Sequence, residues 1–241
     1  MRIKTYTMDT LDSQYLHLRE ADFITRTEFY KKTYAHVAGA VLAFIILETI
    51  LISMPWAYNM ALSFVSSGTT WLLVLGGFMF ATSYAERMAQ NTHSIKKQYI
   101  GLGIYVVAEA IIFLPLIIFA MAAGGGTTLI AQAGIMTLAL FGGLTAVVFT
   151  TKKDFSFLKK GLMIGSFIAI GLIIAGTFIG FNLGLAFSAG MIILAAGSIL
   201  YQTSNLIHKY HTDQHVAASL GLFASVMLLF WYILRIFLSR D

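Results

Sequence analysis

The segment Gln98 to Met121, QYIGLGIYVVAEAIIFLPLIIFAM, carries one charged residue, Glu109. About 20 mostly apolar residues suffice for a helix to cross a ~30 Å hydrocarbon layer, so the segment reads as a membrane span. Six further stretches read the same way: Thr33 to Met54, Thr70 to Ala85, Leu129 to Thr150, Phe157 to Ile179, Leu183 to Ile207 and Gln214 to Phe237. The composition agrees. Of the 241 residues 58% are hydrophobic and 11% charged, and mean hydropathy is +0.80, whereas a globular protein devotes roughly a quarter of its residues to charge. A soluble enzyme is excluded, and the expected fold is an all-α membrane protein, a bundle of seven transmembrane helices. Without cysteine there is no disulfide, thiolate nucleophile or Cys-type zinc site.

The cations set the orientation. With the N-terminus in the cytoplasm, Arg2, Lys4, Arg19, Arg26, Lys31, Lys32, Arg87, Lys96, Lys97, Lys152, Lys153, Lys159, Lys160 and Lys209 fall inside. These are 14 of the 16 Lys and Arg residues, and only Arg235 and Arg240 fall on the other side. The opposite orientation inverts the positive-inside bias, so an N-in, C-out topology follows. Residues 1–28 are polar and lack the apolar core of a signal peptide, which makes them a cytoplasmic tail before a transmembrane domain at 29–241. The basic rim suits anionic lipid headgroups. Without interleaved stacking aromatics it does not suit nucleic acid.

Small residues mark helix contacts in lipid, where no hydrophobic drive brings helices together. Gly161 and Gly165, Gly176 and Gly180, and Gly180 and Gly184 are spaced by four, which predicts packing seams on the fifth span and the start of the sixth. Pro115 removes a backbone donor inside the third span and is expected to bend it.

The segment Lys152-Lys153-Asp154-Phe155-Ser156-Phe157-Leu158, followed by two apolar spans and a last span ending Tyr232-Ile233-Leu234-Arg235-Ile236-Phe237, resembles the transmembrane Bax-inhibitor-motif family, its bacterial branch above all. The similarity runs from about Phe29 to Phe237. It implies six helices around a central last one, and a membrane protein acting as a pH-sensitive calcium leak or as a modulator of membrane stress and proteolysis, with no enzymatic activity and no cofactor. It also implies a pH sensor made of two aspartates, one following a tyrosine near the end of the sixth span and one in the middle of the seventh. Here the matching positions are Gln202, after Tyr201, and Ser225. Two carboxyls can share a proton and repel when it leaves. An amide and a hydroxyl do neither, though they can hydrogen-bond across helices for about 0.6–2 kcal/mol. Gln202 and Ser225 are thus a candidate pH-insensitive latch.

With both aspartates replaced, few acids remain at membrane depth. Glu48 and Glu109 lie within apolar runs, and an ionisable group there costs roughly 2.5 kcal/mol or more, so both should face the bundle interior or a wet cavity. They are candidates for an ion pathway carrying calcium or protons; the plainer alternative is a pair of protonated, hydrogen-bonded structural acids. Glu86 and Arg87, at the end of the second span, form a candidate cytoplasmic gate. Adjacent helical residues point about 100° apart, so the two need not pair, and Arg87 reads more readily as an interfacial, snorkelling anchor. Arg235 invites the same two readings.

His208, His211 and His215 have a spacing that suits zinc on a continuous helix. The intervening Lys209, Tyr210, Thr212 and Asp213 read instead as a polar connection, so no metal site is assigned, and His36 reads as interfacial. No phosphate-binding glycine loop, His-Glu-x-x-His motif or nucleophile elbow occurs. The expected partners are membrane lipids, calcium or protons, and another membrane protein.

Overall fold

The computed structural model describes residue 18 and residues 20–90, 94–123 and 125–239. Arg2, Lys4, Arg19 and Arg240 of the charge pattern, and most of the segment read as a tail, lie outside the described residues. Among the described residues eight helices follow one another: α1 Phe23–Ile52, α2 Pro55–Phe64, α3 Gly68–Ala89, α4 Ile95–Ala122, α5 Gly126–Thr151, α6 Leu158–Ile179, α7 Gly184–His208 and α8 His215–Leu238. Six are long and apolar enough to cross a membrane, and α2 with α3 makes a seventh, broken span bent by 108°. The protein is a seven-span helical membrane protein.

Local chemistry fixes the helix ends. Asp22 and Ser67 accept from the backbone N–H groups of Thr25 at 3.2 Å and Thr70 at 3.1 Å, satisfying donors that the first turn leaves open. Pro55 opens α2, where its missing N–H costs nothing. Gly180 ends α6 in the left-handed conformation, φ 81°, which glycine adopts without steric cost. α1 begins at Phe23, inside the segment read as tail, and α4 continues through Pro115.

Two readings change. The connection read between Pro55 and Gly68 contains α2, whose Ala57 and Ala61 pack on Leu114 of α4 while Trp56 and Tyr58 stay exposed. The glycine seams also differ. A Cβ on Gly161, Gly180 or Gly184 would meet nothing within 4 Å, and the last two have positive φ, so they serve turns. Gly165 does face Leu194 of α7. The tightest seam lies elsewhere: a Cβ on Gly101 of α4 would stand 2.5 Å from the Ala85 carbonyl oxygen of α3.

α8 is the centre of the bundle. It packs against α1, α4, α5 and α7 and also reaches α3, burying Leu222, Phe223, Leu229 and Leu234 completely or nearly so. Its first half carries Ala217, Ala218, Ser219 and Gly221, small residues that let neighbouring backbones close in where lipid supplies no drive for association. α4 is the second interior helix. α6 is the opposite extreme, with Ala169 its one buried residue.

Candidate functional site

A cavity of about 650 Å³ lies beside α8, walled by α3, α4, α6 and α7. It follows α8 from Gly221 to Arg235 and α3 from Trp71 to Glu86, about 21 Å and 22 Å at 1.5 Å per residue. This is most of a ~30 Å hydrocarbon layer. Glu86, Gln202 and Gly221 lie towards the lysine-rich ends of their helices, and Trp71, Trp231 and Arg235 towards the other end. Trp71 and Trp231 stack there, ring centres 6.0 Å apart. Glu109, Ser198 and Ser225 occupy the middle wall.

Four of the residues singled out in the sequence thus share one cavity, and Arg235 joins them. Glu109 is buried, 5% exposed, one helical turn from Tyr105, which lines the same wall. Glu86 is exposed along the wall. Arg87 is exposed but does not line the cavity, and among the described residues the one ion pair is Glu28 with Lys32. Glu48 does not line it either. It lies one turn past Phe44, whose ring meets Phe113 of α4 edge-on at 5.1 Å, and both its carboxyl oxygens are buried without a hydrogen-bond partner.

The Gln202 carboxamide rests on Gly221, where a Cβ would stand 2.9 Å from its Cδ and Oε1. One turn further along α8, the Ser225 hydroxyl donates to the Gly221 carbonyl at 2.9 Å and shares a 2.8 Å hydrogen bond with the Ser198 hydroxyl of α7. Within the α7–α8 contact, Ser198 and Ser225 are joined by a hydrogen bond and Gln202 packs on Gly221 one turn away. Ser198 was missed, though it stands four residues before Gln202 and so on the same helix face. Neither hydroxyl nor carboxamide titrates near neutral pH.

The Lys152–Leu158 segment is tied to α7. Asp154 Oδ1 accepts from the Ser156 N–H at 2.8 Å and from the Ser156 hydroxyl, and Ser204 Oγ accepts from the Phe155 N–H at 2.9 Å while donating to Asp154 at 3.4 Å. The Ser156 hydroxyl, then its N–H, hold the Asp154 carboxyl below its ordinary range.

The three histidines of the connection do not converge. His208 ends α7, His211 lies in the turn and His215 opens α8, its ring 5.0 Å from that of His36. Among the described residues no three Asp, Glu or His side chains come together as a metal site. The cavity lining carries oxygen groups at several points along its length, Glu86, Gln202, Ser198, Ser225 and Glu109 among them.

A family model described as "Inhibitor of apoptosis-promoting Bax1" matches residues 26–241. The chain is 30% identical over 242 residues to an uncharacterized protein of Campylobacter jejuni, covering 97% of this chain and 100% of that one. It is 27% identical to mouse protein lifeguard 4, covering 87% and 84%. It is 35% identical over 130 residues to the Escherichia coli protein named "Modulator of FtsH protease YccA", a match covering 53% of this chain and 58% of the relative. With the central last helix, the Asp154 loop and a match over nearly all the described chain, the protein belongs to the Bax inhibitor-like family of integral membrane proteins.

Proposed function

We propose that the protein is a leak pathway for small cations, calcium or protons, through the cavity beside α8. The observation that carries this reading is the placing of two carboxylates, Glu86 and Glu109, at different depths of one cavity that follows α8 for about 21 Å. A carboxylate in a low-dielectric interior offsets part of the cost of a passing cation. Glu48 is the second intramembrane acid, outside this route. The Gln202–Ser225 region acts as a latch that does not respond to protons, and Glu86 takes part in the gate near the basic end. The charge distribution supports a cytoplasmic N-terminus, with residues 1–28, the last six of which open α1, on that side. The Escherichia coli relatives support a bacterial inner membrane.

Flux of calcium and of protons into liposomes, measured across pH, tests this. Glu109→Gln is expected to lower flux about tenfold, equivalent to ~1.4 kcal/mol in barrier, while Gln202→Ala and Ser225→Ala leave its pH profile unchanged. Absence of flux at every pH would overturn the reading. In that case a second one stands, supported by the name of the Escherichia coli relative: a non-conducting modulator of a membrane-bound protease. Its test is whether deletion alters turnover of membrane substrates.

A further inference from the structure

A second concavity, of about 470 Å³, runs along the outer surface of the bundle between α1 and α4. Its floor and walls are apolar, with Gly39, Ala43 and Leu47 on α1 and Gly103, Val106 and Val107 on α4. The glycines make it. A Cβ on Gly39 or Gly103 would meet nothing within 4 Å, so neither serves helix contact and both leave open space. From His36 to Leu47 the groove spans about 16 Å, half of a ~30 Å hydrocarbon layer and so the depth of one leaflet.

Polarity is confined to one end, formed by His36 and Tyr99. His36 Nδ1 lies 2.6 Å from the Lys32 carbonyl, which can only accept, so this nitrogen carries a proton. Nε2 meets the Tyr99 hydroxyl at 2.8 Å, and Tyr99 is itself 47% exposed. Lys31 and Lys32 stand one turn before Ala35 and His36, and Lys96 nearly one turn before Tyr99, so all three flank this end. Lys32 also pairs with Glu28 at 2.7 Å, whereas among the described residues Lys31 and Lys96 have no ion pair. On α8, His215 sets its ring 5.0 Å from that of His36. A one-leaflet apolar slot with hydrogen-bonding groups and three lysines at headgroup level matches a single class of ligand.

We propose that this groove holds one acyl chain of an anionic phospholipid, whose phosphate is bound at the His36–Tyr99 end by the flanking lysines. The groove shares no lining residue with the Glu109 cavity and the proposal does not depend on conduction through that cavity. The charge complementarity is that of basic residues at an anionic membrane surface, and the slot adds shape to it.

The test is native mass spectrometry of the intact protein released from bilayers of equal parts phosphatidylglycerol and phosphatidylcholine, counting retained lipid. The wild type is expected to retain one phosphatidylglycerol, and excess inorganic phosphate to leave it in place. Lys31→Gln with Lys96→Gln should lower that retention about tenfold. Gly39→Leu or Gly103→Leu, each growing into open space, should abolish it while thermal stability is kept. Unchanged retention in the glycine variants, equal retention of the two lipids by the wild type, or displacement by phosphate would each overturn the proposal. The lysine pair alone decides the headgroup assignment should a leucine variant fail to fold.

Discussion

Asp154 and Ser204 join a loop to a helix from which the sequence separates them by fifty residues. Because the Asp154 carboxyl is held below its ordinary value in the folded state, its contribution to stability is complete above the unfolded value, near 4. That contribution is lost as pH falls through the lower folded value. Thermal unfolding in detergent across acid pH is therefore expected to show a shallower decline for Asp154→Asn than for the wild type. Ser204→Ala removes the acceptor for the Phe155 N–H and should lower stability by about 1 kcal/mol. Glu48 gives the opposite sign. Both its carboxyl oxygens are buried without a hydrogen-bond partner, so Glu48→Met should raise stability by about 1–3 kcal/mol. The acids at membrane depth were legible as single charges in apolar runs. That Glu109 meets the cavity and Glu48 does not was not legible, because it depends on how far each helix is rotated, and helices apolar on every face carry little periodic signal.

At the scale of elements, the same residue type does opposite work at different places. Gly101 lets α3 and α4 touch, and a side chain there would run into the Ala85 carbonyl. Gly101→Val should cost about 1–3 kcal/mol from overpacking, whereas Gly142→Ala, where nothing stands within 4 Å, should gain up to about 1 kcal/mol in helix propensity. Parallel melting curves separate the two. Spacing by four selected Gly165, which faces Leu194 of α7, and Gly176, which meets Phe181, but also Gly161, Gly180 and Gly184, none of which meets a neighbour, and it passed over Gly101, whose partner Ala85 is supplied by another helix. α2 carried a readable signal in Pro55 at its first turn, but ten residues fall short of a span and so merged with the connection.

For the whole molecule, greasy length and cation placement were enough to count the crossings, because a bilayer tolerates only segments that satisfy their own backbone. Single cysteines placed at Lys153 and at Thr127 give an expected outcome for orientation: in intact cells a membrane-impermeant thiol reagent labels the second and not the first. The central place of α8 followed from resemblance rather than from its hydropathy, which does not set it apart from α1 or α6.

α6 leaves most of its residues exposed, with Ala169 the one it buries. A stave of this kind has few buried contacts of its own to fix its place, and it forms one wall of the Glu109 cavity. The width of that cavity is accordingly expected to be a joint property of polypeptide and solvent, altered on extraction into micelles and by a thicker or thinner bilayer.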